Sequence, residues 1–123
     1  MFKDSPGFSG FSTDDLAKAK AFYADTLGVD LSEQDGVLAL HLGGGHQVII
    51  YPKPNHEPAT FTVLNFPVPD IEQSVDHLTK AGVQMERYEG LAQDERGIMH
   101  DDGRPIAWFK DPAGNILSVI ERA

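Results

Sequence analysis

Apolar and polar positions alternate along this chain in two rounds of the same elements. Residues 7–13, GFSGFST, predict a short strand, and Thr13, Asp14 and Asp15 then supply side-chain oxygens of the kind that open helices. The run LAKAKAFYADTL places Leu16, Ala19, Phe22, Tyr23 and Leu27 on one helical face, with Gly28 as its stop. Strands are predicted at 29–33, 37–42 and 47–51. The first two are joined by the hairpin signal Asp35-Gly36 and the last two by Gly43-Gly44-Gly45. Segment 52–58, PKPNHEP, is rich in breakers and polar residues and predicts a connector.

The second round starts at 61–68, FTVLNFPV, a strand pattern that leads through Pro69-Asp70 into the helix IEQSVDHLTKA. Ile71, Val75, Leu78 and Ala81 face inward there, and Gly82 lies just past the end. A strand is predicted at 83–88, then a loop at 89–105 with one short strand around Ile98. Asp94, Glu95, Asp101 and Asp102 against Arg96 and Arg104 make this loop a charged segment able to close over a pocket. The last two strands, IAWF and ILSVI, flank the turn DPAGN. Pro112 presets φ there, Gly114 accepts a positive φ, and Asp111 and Asn115 can bond nearby backbone groups, so the reversal has a local cause.

Setting Asp15 against Asp70 brings the two helix ends into register within one residue, and the glycine turn before 47–51 then matches DPAGN. The economical reading is an internal duplication: two βαβββ modules, about 7–56 and 60–123, in a single domain spanning 1–123. The fold class is α+β, with the modules forming a curved mixed sheet around a concave pocket and the helices outside. The competing reading is an ordinary α+β sandwich whose halves agree by chance.

Composition narrows the chemistry. A chain of 123 residues can bury a core without covalent staples, and zero cysteines exclude a disulfide framework, a thiolate zinc site and a cysteine nucleophile. A net charge of −9 would repel a phosphate backbone or an anionic lipid surface, so neither nucleic acid nor membrane is an expected partner. No apolar run reaches membrane-spanning length and the N-terminal MFKDSPGFSG lacks signal-peptide character, which makes the cytoplasm the expected location.

Five histidines, His41, His46, His56, His77 and His100, remain as candidates, none at the i,i+4 spacing of a helical metal pair. His77 sits on a polar helix face, and His46 and His56 fall in turn and connector. His41 lies in VLALHL on the same face as Val37 and Ala39, and is the candidate catalytic base; a hydrogen-bonded rim histidine is the alternative. Gly43-Gly44-Gly45 joins two strands, opens no helix and lacks a Lys-Ser/Thr ending, so it is read as a hairpin turn and not as a phosphate loop.

Three stretches, FSTDDLAKAKAFYADTLG, its weaker echo FPVPDIEQSVDHLTKAG, and WFKDPAGNILSVIE, resemble the vicinal oxygen chelate superfamily of glyoxalases, bleomycin-resistance proteins and extradiol dioxygenases. The resemblance covers essentially the whole chain and implies a glyoxalase-like fold. It discriminates poorly among functions, because lyases, isomerases, oxygenases and non-catalytic drug binders share that fold. In metal-dependent members a divalent ion in the concavity acts as a Lewis acid on vicinal oxygens of the substrate. Carried over by position, its ligands fall seven residues before each helix-opening Asp, on Phe8 and Val63, and seven after Asp111, on Ser118. The match of the two glycine turns adds Ile49.

None of these four side chains suits a divalent ion, so the expectation is a pocket with no metal and no cofactor. Glu121, three residues past the last position, is read as a solvated terminal residue. The first reading is therefore a glyoxalase/bleomycin-resistance-like protein that binds a small organic molecule through Phe8, Ser12, Ile49, Tyr51, Val63, Asn65, Trp108 and Ser118. Period-two alternation also turns Gly10, Gln47, Ile116 and Ile120 the same way. Trp108 is a stacking candidate or plain core. The alternatives are a lyase, isomerase or dioxygenase-type enzyme with an atypical site, using His41 with Tyr51 or Asn65, and a purely structural module. The resemblance further implies a homodimer, and the pocket lining a small-molecule ligand as partner.

Overall fold

Asp15 opens the first helix as the sequence predicts, its Oδ1 accepting the backbone N–H of Lys18 at 3.0 Å. The computed structural model describes residues 1–100 and 103–122, and its contacts divide the chain into two units, Met1–Glu57 and Pro58–Ala123.

In the first unit, strand β1 (Ser9–Thr13) leads into helix α1 (Leu16–Ala21), followed by β2 (Asp30–Gln34), β3 (Val37–His41) and β4 (Gln47–Pro52). The sheet runs β1-β4-β3-β2, with β1 parallel to β4 and the other pairs antiparallel. Phe11, Thr13, Leu38, Leu40, Val48 and Ile50 are buried along alternate positions, and α1 packs on β3 and β4. Asp35 and Gly36 both take positive φ, 55° and 77°, the pair that a two-residue hairpin turn matched to strand twist requires.

Helix α1 is shorter than its apolar stripe predicts. At Phe22–Thr26 the coil widens into a π turn, and the Leu27 N–H reaches the Phe22 carbonyl at 3.0 Å. Aromatic packing accompanies the widening. Tyr23 is fully buried, edge-on to Phe22 at 5.2 Å between ring centres and 6.3 Å from Phe11. Ala19 is buried with it, while Leu16, Phe22 and Leu27 are half-buried.

The second unit holds β5 (Thr62–Val68), helix α2 (Ile71–Lys80), β6 (Ile106–Lys110) and β7 (Ile116–Glu121), with its sheet in the order β5-β7-β6. The strands thus hydrogen-bond as two sheets, one in each unit. Asp70 caps α2 through the Gln73 N–H at 3.1 Å, and Ile71, Val75 and Leu78 are buried beneath it. Ala81, expected inward, is exposed, because the helix stops at Lys80 and Ala81 serves as its C-cap. The DPAGN turn closes as predicted around a buried Asp111, whose Oδ1 accepts the N–H groups of Ala113 at 3.0 Å and Asn115 at 2.9 Å.

Two expectations fail in this unit. The strand predicted at 83–88 reduces to a single bridge, Met85 to Phe109, and an N–H from Glu86 to the Trp108 carbonyl at 2.8 Å. A side chain takes the backbone groups that a further strand would have used. The Gln93 amide accepts the Tyr88 N–H at 2.8 Å and donates to the carbonyls of Glu86 at 3.0 Å and Gly97 at 2.8 Å. Glu121, in turn, is not a solvated end. Its Oε1 accepts the Ile71 N–H at 3.1 Å, because β7 runs parallel to β5 and ends beside Val68, where α2 is about to begin.

The long loop is tied to its own unit. Asp94 Oδ1 accepts the N–H groups of Arg96 and Ile98, each at 2.9 Å, and the Arg96 guanidinium reaches Asp76 of α2 at 3.0 Å. Ile98 is fully buried, and Met99 bridges both Gln93 and Ile106 where the short strand was expected. Asp101 and Asp102, counted among the charges of this loop, lie outside the described residues.

Candidate functional site

Each sheet has one face under its helix and one face free of it, and the predicted ligand-binding side chains fall mainly on the free faces. In the first unit the buried set Leu38, Leu40, Val48 and Ile50 turns Val37, Ala39, His41, Gln47, Ile49 and Tyr51 to the other side. A cavity of about 340 Å3 opens there, lined by Ser32, Gln34, Val37, Ala39, His41 and Ile49 among others. His41 borders it, with Nε2 3.0 Å from the Ser32 hydroxyl. Gly10 stands opposite Ile49 across the β1–β4 pair. A Cβ on Gly10 would meet the Ile49 carbonyl oxygen at 3.2 Å, tighter than side chains ordinarily tolerate.

Ser12 is half-buried, its Oγ 2.7 Å from His56 Nδ1. The connector folds back to make this contact, with the Lys53 N–H on the Thr13 carbonyl at 2.9 Å and the His56 N–H on the Lys53 carbonyl at 3.0 Å. Nothing local in PKPNHEP signals that pairing. Phe8 precedes the first strand residue and is 69% exposed, and Tyr51 is exposed as well.

In the second unit Ala107, Phe109, Leu117 and Val119 are buried on the helix side, and Trp108, Ser118 and Asn65 share the opposite face. Ser118 is fully buried and donates a short hydrogen bond to Asn65 Oδ1. Trp108 lies across from Ser118 and donates its indole N–H to Thr62 Oγ1 at 3.1 Å. Tyr88 packs edge-on against Trp108, with ring centres 5.7 Å apart. Thr62, Tyr88 and His56 are the site neighbours that residue spacing did not reveal.

Val63 occupies a register shift between Thr62 and Leu64 and has no partner in the ladder. The duplication is instead exact one turn of the pleat later. Asn65, five residues before Asp70, faces Ser118, just as Gly10, five before Asp15, faces Ile49.

The residues at the metal positions of the family do not fit a divalent ion. Phe8 offers an exposed phenyl ring, Ile49 and Val63 offer aliphatic carbon, and the Ser118 hydroxyl is donated to Asn65. Glu121, the nearest carboxylate in sequence, is engaged by the helix N–H of Ile71. Among the described residues, no three His, Cys, Asp or Glu side chains converge on a point where a metal could be held.

Tyr88 and Asp94 of the second unit titrate away from their ordinary values. Burial, and after it the Glu86 carboxylate, push the Tyr88 phenol up. Burial also works to raise Asp94, but hydrogen bonds from the His100 ring and from the Ile98 and Arg96 N–H groups outweigh it and hold the carboxyl low.

Similar folds recur among solved structures. A member of the glyoxalase/bleomycin resistance protein/dioxygenase superfamily from Sphaerobacter thermophilus superposes with a TM-score of 0.71 at 22% identity, over 94% of this chain and 95% of that one. TnmS3, an antibiotic-binding protein from Streptomyces sp. CB03234, gives 0.69 at 24% identity over 95% and 96%. The fosfomycin resistance protein FosX from Mesorhizobium loti gives 0.66 at 12% identity over 95% and 91%. At these identities the likeness establishes the fold alone. No functionally curated protein matches the sequence. The family model for this superfamily matches residues 9–119, and the chain belongs to the Glyoxalase/Bleomycin resistance protein/Dioxygenase superfamily.

Proposed function

We propose that the protein binds a small organic molecule on the helix-free sheet faces without a metal, sequestering it without turning it over. The observation that carries this reading is the chemistry at the four family ligand positions, where Phe8, Ile49, Val63 and an already donated Ser118 hydroxyl leave a Lewis acid nothing to bind. What lines those faces suits an organic ligand. Ile49 and Tyr51 with Ser12 in the first unit, and Trp108 with Asn65 in the second, combine apolar and aromatic surface with a few hydrogen-bonding groups. The likeness to a protein described as antibiotic-binding supports the same ligand class.

Under this reading residues 1–123 act as one domain and the protein pairs as a homodimer in the cytoplasm; light scattering at twice the chain mass is the expected result. Among the described residues no helix is long and apolar enough to cross a membrane. A thermal-shift screen of aromatic and amphipathic compounds, run with and without EDTA, tests the binding mode. A ligand-induced rise that EDTA leaves unchanged is expected, and a rise that EDTA abolishes overturns it.

His41 beside the first-unit cavity favours a second reading, an enzyme of the same superfamily with an atypical site. It predicts turnover whose pH profile changes in His41→Ala.

A further inference from the structure

The cavity of about 340 Å3 on the helix-free face lies wholly within the first unit and has an aliphatic floor of Val37, Ala39 and Ile49. Polar side chains ring that floor. Ser32 and His41 engage each other at 3.0 Å across the β2–β3 pair, and Gln34 and Gln47 contribute uncharged amides. Among the described residues no lysine or arginine lines the cavity, and Asp35 is its single carboxylate.

Asp35 differs in its surroundings from the nearby Glu33. Glu33 sits opposite the buried Leu38, on the helix side of β2, and pairs with Lys20 of α1 at 3.1 Å. The exposed Asp35 carboxylate has no ion-pair partner among the described residues. Its backbone is held at φ 55° beside Gly36 at 77°, so the turn fixes the place of the carboxylate before anything binds. A preplaced, unpaired negative charge at the edge of an apolar floor complements an amphiphile of the opposite sign.

We infer that this cavity selects small organic cations, with an aliphatic body lying on Val37, Ala39 and Ile49 and a protonated amine meeting the Asp35 carboxylate. The inference rests on the binding function proposed above and adds the charge and shape of the ligand. An anion of the same shape would be repelled by Asp35 and would meet no lysine or arginine in the lining, while a neutral analogue would gain the floor alone.

The test uses three matched probes, 2-cyclohexylethylamine, 2-cyclohexylethanol and 3-cyclohexylpropionate, which share a ring and its arm and differ in charge. Each is titrated into isotope-labelled protein at about pH 8, where the first is a cation and the last an anion, and binding is read from the backbone amide shifts of residues 37–41 and 47–49. Wild type is expected to bind the amine about threefold more tightly than the alcohol, the worth of one exposed ion pair, and to bind the carboxylate least. Asp35→Asn and Asp35→Gly both accept the positive φ of this turn, so both are expected to fold, to erase the advantage of the amine and to leave the affinity for the alcohol unchanged. An amine that wild type binds no better than the alcohol, or an advantage that survives both substitutions, overturns the cation selectivity while leaving the binding face intact. Shifts confined to the second unit, or no shift with any probe, overturn this site altogether, and the thermal-shift screen then decides the proposed binding function separately.

Discussion

Glu121 accepts the backbone N–H of Ile71 at 3.1 Å, joining the end of the last strand to the start of α2 fifty residues away. Four N–H groups at a helix start lack intrahelical partners, and a carboxylate there satisfies one of them and favours the helix dipole. Asp70 takes another, through Gln73. Glu121→Ala should therefore destabilise the fold by about 1 kcal/mol in urea titrations, where a solvated terminal glutamate would give no change. Glu121→Gln, which keeps an acceptor oxygen, should recover part of the loss.

Asp94 makes the stability of the second unit depend on acid. Its carboxyl titrates below the ordinary range in the folded protein, because hydrogen bonds from His100, Ile98 and Arg96 overcome the opposing effect of burial. A depressed folded pKa contributes stability that is present above the unfolded value, near 4, and is lost as pH falls through the lower folded value. The difference in urea midpoint between wild type and Asp94→Asn should be full near neutrality, shrink below about pH 4, and vanish in stronger acid. A difference independent of pH would assign the effect to packing and not to charge.

Ser118 occupies a family ligand position but is fully buried. Ser118→Ala should cost no more than about 1 kcal/mol, since its partner Asn65 is exposed and water replaces the lost bond. Ser118→Glu, which restores the carboxylate of metal-dependent relatives, places an unpaired charge where no solvent reaches. It should destabilise by several kcal/mol, on the order of 3, without conferring metal affinity. Thermal melts of both variants with and without zinc measure this directly.

The parts of the fold legible in the sequence are those with local causes. Asp35-Gly36 and DPAGN specify their turns within a few residues, and Asp15 and Asp70 specify helix starts, so duplication and superfamily could be read together. What escaped depends on groups distant in sequence or on side chains acting as backbone. Gln93 replaces a strand partner for residues 86–88, and Glu121 is recruited by the parallel β5–β7 pairing. The register shift between Thr62 and Leu64 takes Val63 out of the β5–β7 ladder. His56 reaches Ser12 across a proline-rich connector that folds back, and Tyr88 packs on Trp108 from a segment after α2 that forms no full strand.

The most direct measurement is equilibrium dialysis of the protein against zinc, manganese and iron(II), followed by elemental analysis. With Phe8, Ile49, Val63 and Ser118 at the ligand positions, no stoichiometric ion should remain bound, and organic ligands should bind equally before and after dialysis. One ion retained per chain on the helix-free faces, with ligand binding that depends on it, would contradict metal-free binding.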